Sequence, residues 1–188
     1  WENVNGQKLT LTVGGVRAYN HTNLYAKKGA ERFKIFVGFT CKVCTNLCVS
    51  TDGYINCLEV TDTADLYKST LELLNQYNPA KHIHLMQTLG ESYLSEHQFC
   101  QILGKMRLYQ ALSQTKQRAL PRMLLTDTQI NNVAKAYISD ENFGGSEGLS
   151  MWNFYNLLTG ANKSSYIDSF LDRSYNATEI AVGISSAL

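Results

Sequence analysis

Proline is scarce in this 188-residue chain, with only Pro79 and Pro121 present, so neither a proline-rich spacer nor a disordered linker fits its composition. No apolar run approaches the roughly 20 residues that a membrane helix needs, and no charged-then-apolar segment opens the chain. A membrane partner is therefore not expected. Gly14-Gly15 and Gly144-Gly145 fit neither the phosphate-loop nor the dinucleotide-binding pattern and read as turn glycines. A net charge of +1 falls short of the strongly basic balance of an obvious nucleic-acid binder. The five cysteines are an odd number in a chain long enough to bury a core without disulfide staples, which points to reduced thiols in a cytoplasm. The triplets Asn20-His21-Thr22, Asn162-Lys163-Ser164 and Asn176-Ala177-Thr178 would suit a secreted glycoprotein, but such triplets are common by chance. Because the chain opens on Trp1 rather than methionine, we expect a piece of a longer protein, its C-terminal part.

What is present is organised around Phe33 to Val60, which carries four of the cysteines. Phe33, Ile35, Val37 and Phe39 alternate with Lys34, Phe36 and Gly38, the period-two pattern of a half-buried strand. Val43, Thr45, Leu47 and Val49 continue as a second strand. Asp52-Gly53 then suggests a hairpin into a third, Tyr54 to Val60. Upstream, Lys8 to Val13, a Gly14-Gly15 turn and Val16 to Tyr19 read as a first hairpin, followed by a loop over 20–32.

Beyond residue 61 the period changes to that of helices. Thr61-Asp62-Thr63 offers a cap, Asn78-Pro79 a stop and a restart, and Gly90 a second stop. Ser95 and Gln98 have capping-box spacing, and Thr126 or Asp127 caps a further helix. Ser139 to Ser150 reads as an exposed loop. Trp152, Phe154, Tyr155, Leu158, Tyr166, Ile167, Phe170 and Leu171 supply apolar faces to two or three C-terminal helices. The fold expected is a single α+β domain: an antiparallel meander over about 8–60, covered by helices over about 62–188.

Several residue groups invite a chemical reading. Cys41-Lys42-Val43-Cys44, with Cys48 and Cys57, suggests a thiolate zinc site, yet strand spacing sends Cys41 and Cys44 to opposite faces. Buried free thiols are the preferred reading, and no metal or other cofactor is expected. A cysteine nucleophile would need His21, His82, His84 or His97 beside it, and no family signature surrounds any cysteine. His82 and His84 fall on different helix faces, as surface or capping histidines would. Asp168 and Asp172 lie one helical turn apart, a spacing that serves a shared proton or metal and equally a solvated face. The better lead is a basic tract interleaved with aromatic rings: Arg17, Tyr19, Tyr25, Lys27, Lys28, Arg32 and Lys34, the combination that grips phosphates and stacks unpaired bases. A second, acid-free tract lies between His97 and Thr126, with Lys105, Arg107, Lys116, Arg118 and Arg122.

Leu11 to Asn20 (LTVGGVRAYN), Phe33 to Phe39, Val43 to Tyr54 (VCTNLCVSTDGY) and Trp152 to Asp168 resemble the domain-of-unknown-function family DUF3871 of Bacteroides-type bacteria and their mobile elements. Members of that family look longer at the N-terminus. More distantly, Val43 to Asn46 and the segment from Tyr155-Asn156 to Thr159 resemble the phage/plasmid-like protein family DUF932. The resemblance implies an intracellular bacterial protein tied to mobile DNA, with no established activity, cofactor or catalytic residue. Within it Cys44, Thr45 and Asn46 form the motif to test first. The function expected is a non-enzymatic accessory protein touching single-stranded DNA through the 17–34 tract. The rivals are a protein-interaction module, which an exposed apolar patch beside Trp152 to Leu158 would favour, and a zinc- or cysteine-dependent protein.

Overall fold

The fold comes from a computed structural model that describes residues 1–17, 31–113, 115–116, 125–139 and 148–188. Strands come first and helices afterwards, as the change of period requires. Strands β1 (Glu2–Val4), β2 (Gln7–Arg17), β3 (Glu31–Cys41) and β4 (Leu47–Val60) form one antiparallel sheet in the order β1-β2-β3-β4. The chain reverses between β1 and β2 at Asn5-Gly6, where φ values of 47° and 80° supply the two positive angles of a tight hairpin turn.

Two turns expected from glycine pairs are instead strand interior. β2 runs straight through Gly14-Gly15, paired with Phe36 and Ile35. A Cβ on Gly14 would lie 2.8 Å from the Phe36 ring, so the glycine makes room for an aromatic neighbour rather than bending the chain. Likewise, residues 33–60 form two strands and not three. Phe36 pairs with Tyr54 and Gly38 with Val49, so the stretch Ser50 to Gly53 bulges opposite Val37 while the strand keeps its direction. Gly53 is needed because a Cβ there would sit 2.2 Å from the Val37 carbonyl oxygen. The reversal between β3 and β4 falls instead at Lys42 to Asn46, which removes Val43 and Thr45 from the expected strand. Glu31 and Arg32, expected in a loop, begin β3, and residues 18–30 lie outside the described residues.

The helices begin where the sequence offers caps. The Asp62 carboxylate accepts from the Ala64 amide ahead of α1 (Thr63–Gln76), and Asn78 accepts from Lys81 ahead of α2 (Pro79–Thr88). Ser95 and Gln98 close a complete capping box on α3 (Glu96–Gln110). Thr126 and Gln129 exchange bonds of 2.9 and 3.3 Å in the same way at the start of α4 (Asp127–Ser139). A two-stranded ribbon of β5 (Tyr93–Leu94) and β6 (Leu149–Ser150) precedes α5 (Met151–Asn162) and α6 (Ile167–Ser185). Leu149, expected in an exposed loop, is thus a buried strand residue, while 140–147 lie outside the described residues. Tyr166 and Ile167, expected to be buried, stand exposed at the start of α6.

Helix α5 is the centre of the core. Ten of its residues are buried, Phe154, Tyr155, Leu157 and Leu158 among them, as expected for a helix apolar on nearly every side. One sheet face (Ile35, Val37, Phe39, Cys41) packs into this main core. Phe36 on the other face packs with Val16, Tyr54, Phe170, Leu171 and Tyr175 in a second cluster under α6. Both faces of β3 are therefore covered, which explains why Phe36 interrupts an otherwise polar alternation.

Candidate binding cleft at the Cys41 to Asn46 turn

The turn between β3 and β4 is closed by a bond from the Cys41 amide to the Asn46 carbonyl at 2.9 Å and one from the Thr45 amide to the Cys41 carbonyl at 3.0 Å. It needs one left-handed residue, and Thr45 takes that role at φ 56°. Lys42 donates its amide to the Lys8 carbonyl at 3.0 Å, which fixes the turn to β2. The Asn46 side chain then reaches helix α5. Its Nδ2 donates to the Asn156 carbonyl at 3.2 Å and to Asn156 Oδ1 at 3.1 Å. Asn156 Nδ2 in turn donates to the Trp152 carbonyl at 3.0 Å. That last bond sets the orientation of the Asn156 amide, and Asn156 sets that of Asn46, since the reverse orientation would place oxygen against oxygen. Asn46 is only 4% exposed, yet its Oδ1 has no hydrogen-bond partner.

Asn46 lines a cleft of about 730 Å³ bounded by the turn, the start of β2, α4 and α5. Its walls are rich in side-chain amides, from Asn5, Gln7, Asn132, Asn153 and Asn156 as well as Asn46. Gln7 Oε1 is a second buried acceptor with no partner. Gly160 lies on the floor beside Asn46, where a Cβ would meet Asn46 Oδ1 at an ordinary contact distance of 3.8 Å. Lys163, at the rim, donates from Nζ to the Cys44 carbonyl and brings the cleft a cation. Two unsatisfied acceptors beside an ammonium suit a ligand that offers N–H or O–H donors and carries an anionic group. Among the described residues no aromatic ring lines the cleft.

Three cysteines stand behind the turn. Cys48 is fully buried, and burial pushes its thiol up to about 12. Burial also raises the half-buried Cys44 to about 11, helped by the neighbouring Cys41 sulfur. Burial would raise Cys41 as well, but the Cys44 thiol and the amides of Cys44, Val43 and Thr45 outweigh it and hold Cys41 below its ordinary value. The Cys44 amide lies 3.3 Å from Cys41 Sγ. Among the described residues no three His, Cys, Asp or Glu side chains are disposed to hold a metal ion. Cys57 is exposed on β4.

The other sequence candidates are dispersed. Arg17 pairs with Glu31 at 2.7 Å, Arg32 with Glu59 at 3.1 Å and Lys34 with Asp172 at 2.6 Å. Asp172 also accepts from the Tyr54 hydroxyl, whose proton burial and that carboxylate hold firmly in place. Tyr19, Tyr25, Lys27, Lys28, His21, Arg118 and Arg122 lie outside the described residues, as does the side chain of Asp168. In the second tract Arg107 pairs with Asp127. His84 and His97 are exposed, but His82, expected at the surface, is buried between Tyr77 and Phe39, with Nδ1 2.7 Å from the Tyr77 hydroxyl. Trp152, Phe154, Tyr155, Leu157 and Leu158 are themselves all buried.

Of the motif residues, Cys44 and Asn46 meet the cleft, while Thr45 shapes the turn that carries them. Sequence reasoning missed Gln7, Asn156 and Lys163. A signal existed: Asn153, Asn156, Gly160 and Lys163 recur at helical spacing along one side of a segment that is otherwise apolar. Val43 to Asn46 and Tyr155 to Thr159 face each other here, through the Asn46 to Asn156 bonds. No curated protein and no solved structure matches the chain. The model of the family described as "Domain of unknown function, B. Theta Gene description (DUF3871)" matches residues 1–188, and the chain belongs to that family.

Proposed function

We propose that this chain is a non-enzymatic, cytoplasmic accessory protein of Bacteroides mobile elements that acts by binding a ligand in the amide-lined cleft. The observation that carries the reading is Asn46 Oδ1, a buried acceptor on a residue that lines the cleft, its amide oriented by Asn156 and its oxygen left without a partner. An unmet buried acceptor costs about 1–3 kcal/mol, and a bound donor removes that cost. The test is an amide-resolved NMR titration of the labelled protein with two probes, a set of short acidic peptides and a deoxydinucleotide. Shifts gathered on the Asn46 side-chain amide, Gly160 and Lys163 are expected. Shifts scattered over the surface with both probes would remove the cleft reading.

Single-stranded DNA is the second reading, favoured by a different observation. Arg17, Arg32 and Lys34 lie at one end of the paired strands β2 and β3, with Arg17 on the face of its partner Phe33 and Arg32 and Lys34 on the other face. Each of the three has a carboxylate partner, so few of these charges answer to phosphate without an exchange of partners. A labelled oligonucleotide titrated at several salt concentrations decides it. Binding that weakens as salt rises supports the reading, and no binding at low salt ends it.

A further inference from the structure

The segment Cys41-Lys42-Val43-Cys44 occupies the tight turn between β3 and β4, and this turn does what an extended strand would not. It brings both sulfurs to the same side. The Cys44 amide donates to Cys41 Sγ at 3.3 Å, and the two side chains lie close enough to interact. A disulfide requires Cα atoms within about 4.4–6.8 Å, and the ends of a four-residue turn fall within about 7 Å. Of the pair, Cys44 is half-buried and lines the cleft, whereas Cys41 lies beneath it at 1% exposure. Cys48 is nearby but wholly buried, and Cys57 and Cys100 are exposed elsewhere.

We propose that Cys41 and Cys44 form a redox-active dithiol that exchanges with low-molecular-weight disulfides entering through the cleft. Cys44, the sulfur the cleft exposes, attacks one sulfur of the incoming disulfide as its proton passes to the departing small thiolate. A mixed disulfide forms on Cys44 and one small thiolate leaves. Cys41 then attacks Cys44 Sγ, forms the Cys41–Cys44 bond and expels the second small thiolate, which takes the remaining proton. Two protein thiols are oxidised to a disulfide and one small disulfide is reduced to two thiols. The amides of Val43, Cys44 and Thr45 around Cys41 stabilise negative charge on the resolving sulfur. This site is independent of the ligand reading, since it requires no occupant of the amide-lined walls.

The experiment uses the full chain with Cys57→Ser and Cys100→Ser, so that only Cys41, Cys44 and Cys48 remain. The probe is dithiobis-nitrobenzoate, followed by acid quench, alkylation and peptide mass mapping. Release of two thionitrobenzoate equivalents is expected, with an internal Cys41–Cys44 disulfide, Cys48 still alkylatable after denaturation, and no adduct left on the protein. Adding Cys41→Ser should give one equivalent and a lasting adduct on Cys44. A persistent adduct on Cys44 with Cys41 present, a bond to Cys48, or no release before denaturation would each overturn the proposal. The first arm needs no substitution within the pair, so the result does not hang on how Cys41→Ser folds.

Discussion

Protonation of His82 is a perturbation whose cost follows from its surroundings. The imidazole is 2% exposed, Nδ1 shares a 2.7 Å hydrogen bond with the Tyr77 hydroxyl, and the ring meets Phe39 edge-on at 5.5 Å. Burial pulls its pKa down to about 4, with the Asp52 carboxylate acting weakly in the other direction. In the unfolded chain the same group titrates near 6.5. The folded value is the lower one, so as pH falls the unfolded state takes up its proton first. The resulting stability is complete above about pH 6.5 and is lost as pH falls toward 4. The loss is about 2 kcal/mol by pH 5 and about 3 kcal/mol by pH 4. His82→Phe keeps a ring against Phe39, removes the titrating nitrogens and leaves the Tyr77 hydroxyl unmet, for about 1–3 kcal/mol at neutral pH. Removal of Nε2, which has no partner, offsets part of that. Urea unfolding read by fluorescence of the buried Trp152 at several pH values should therefore give curves that cross: wild type more stable near neutrality, the variant in acid. Parallel curves, or a native His82 resonance titrating near 6.5, would refute the reasoning.

Asp172→Ala should cost about 2–3 kcal/mol in denaturant melts, because it removes the carboxylate that both Lys34 and Tyr54 engage in a largely dry setting. A loss below about 0.5 kcal/mol would mean the network is solvated. Gly53→Ala should lower stability by at least about 2 kcal/mol, since its Cβ would lie 2.2 Å from the Val37 carbonyl oxygen and must displace it, whereas a true hairpin glycine would give a smaller, strain-only loss. Thr45→Gly should raise stability by up to about 1 kcal/mol by relieving a left-handed β-branched residue, and a fall of that size would show that the Thr45 side chain matters more than its backbone angle.

The helix caps were legible because a cap is decided by residues within three or four positions. Asp62, the Ser95 to Gln98 box and the Thr126 cap all stand where local spacing put them. The apolar alternation of Phe33 to Phe39 likewise announced a strand with a buried face. The glycines misled because the same residue type serves two needs. Gly14 and Gly53 lack a Cβ on account of Phe36 and Val37, neighbours on another strand, and nothing beside them in the chain distinguishes that from a bend. The cleft was half legible: Cys44 and Asn46 were singled out, but not what completes them.

The order of strands before helices, the helix starts and the central apolar helix were set by the residues themselves, since each depends on periodicity or on bonds between near neighbours. Tertiary structure alone decided which polar groups would be left unmet and where. Asn46 reaches Asn156 across 110 positions and Lys34 reaches Asp172 across 138, separations at which only packing determines who meets whom. The buried state of His82 has the same origin, since it takes the folded sheet to bring Phe39 against it.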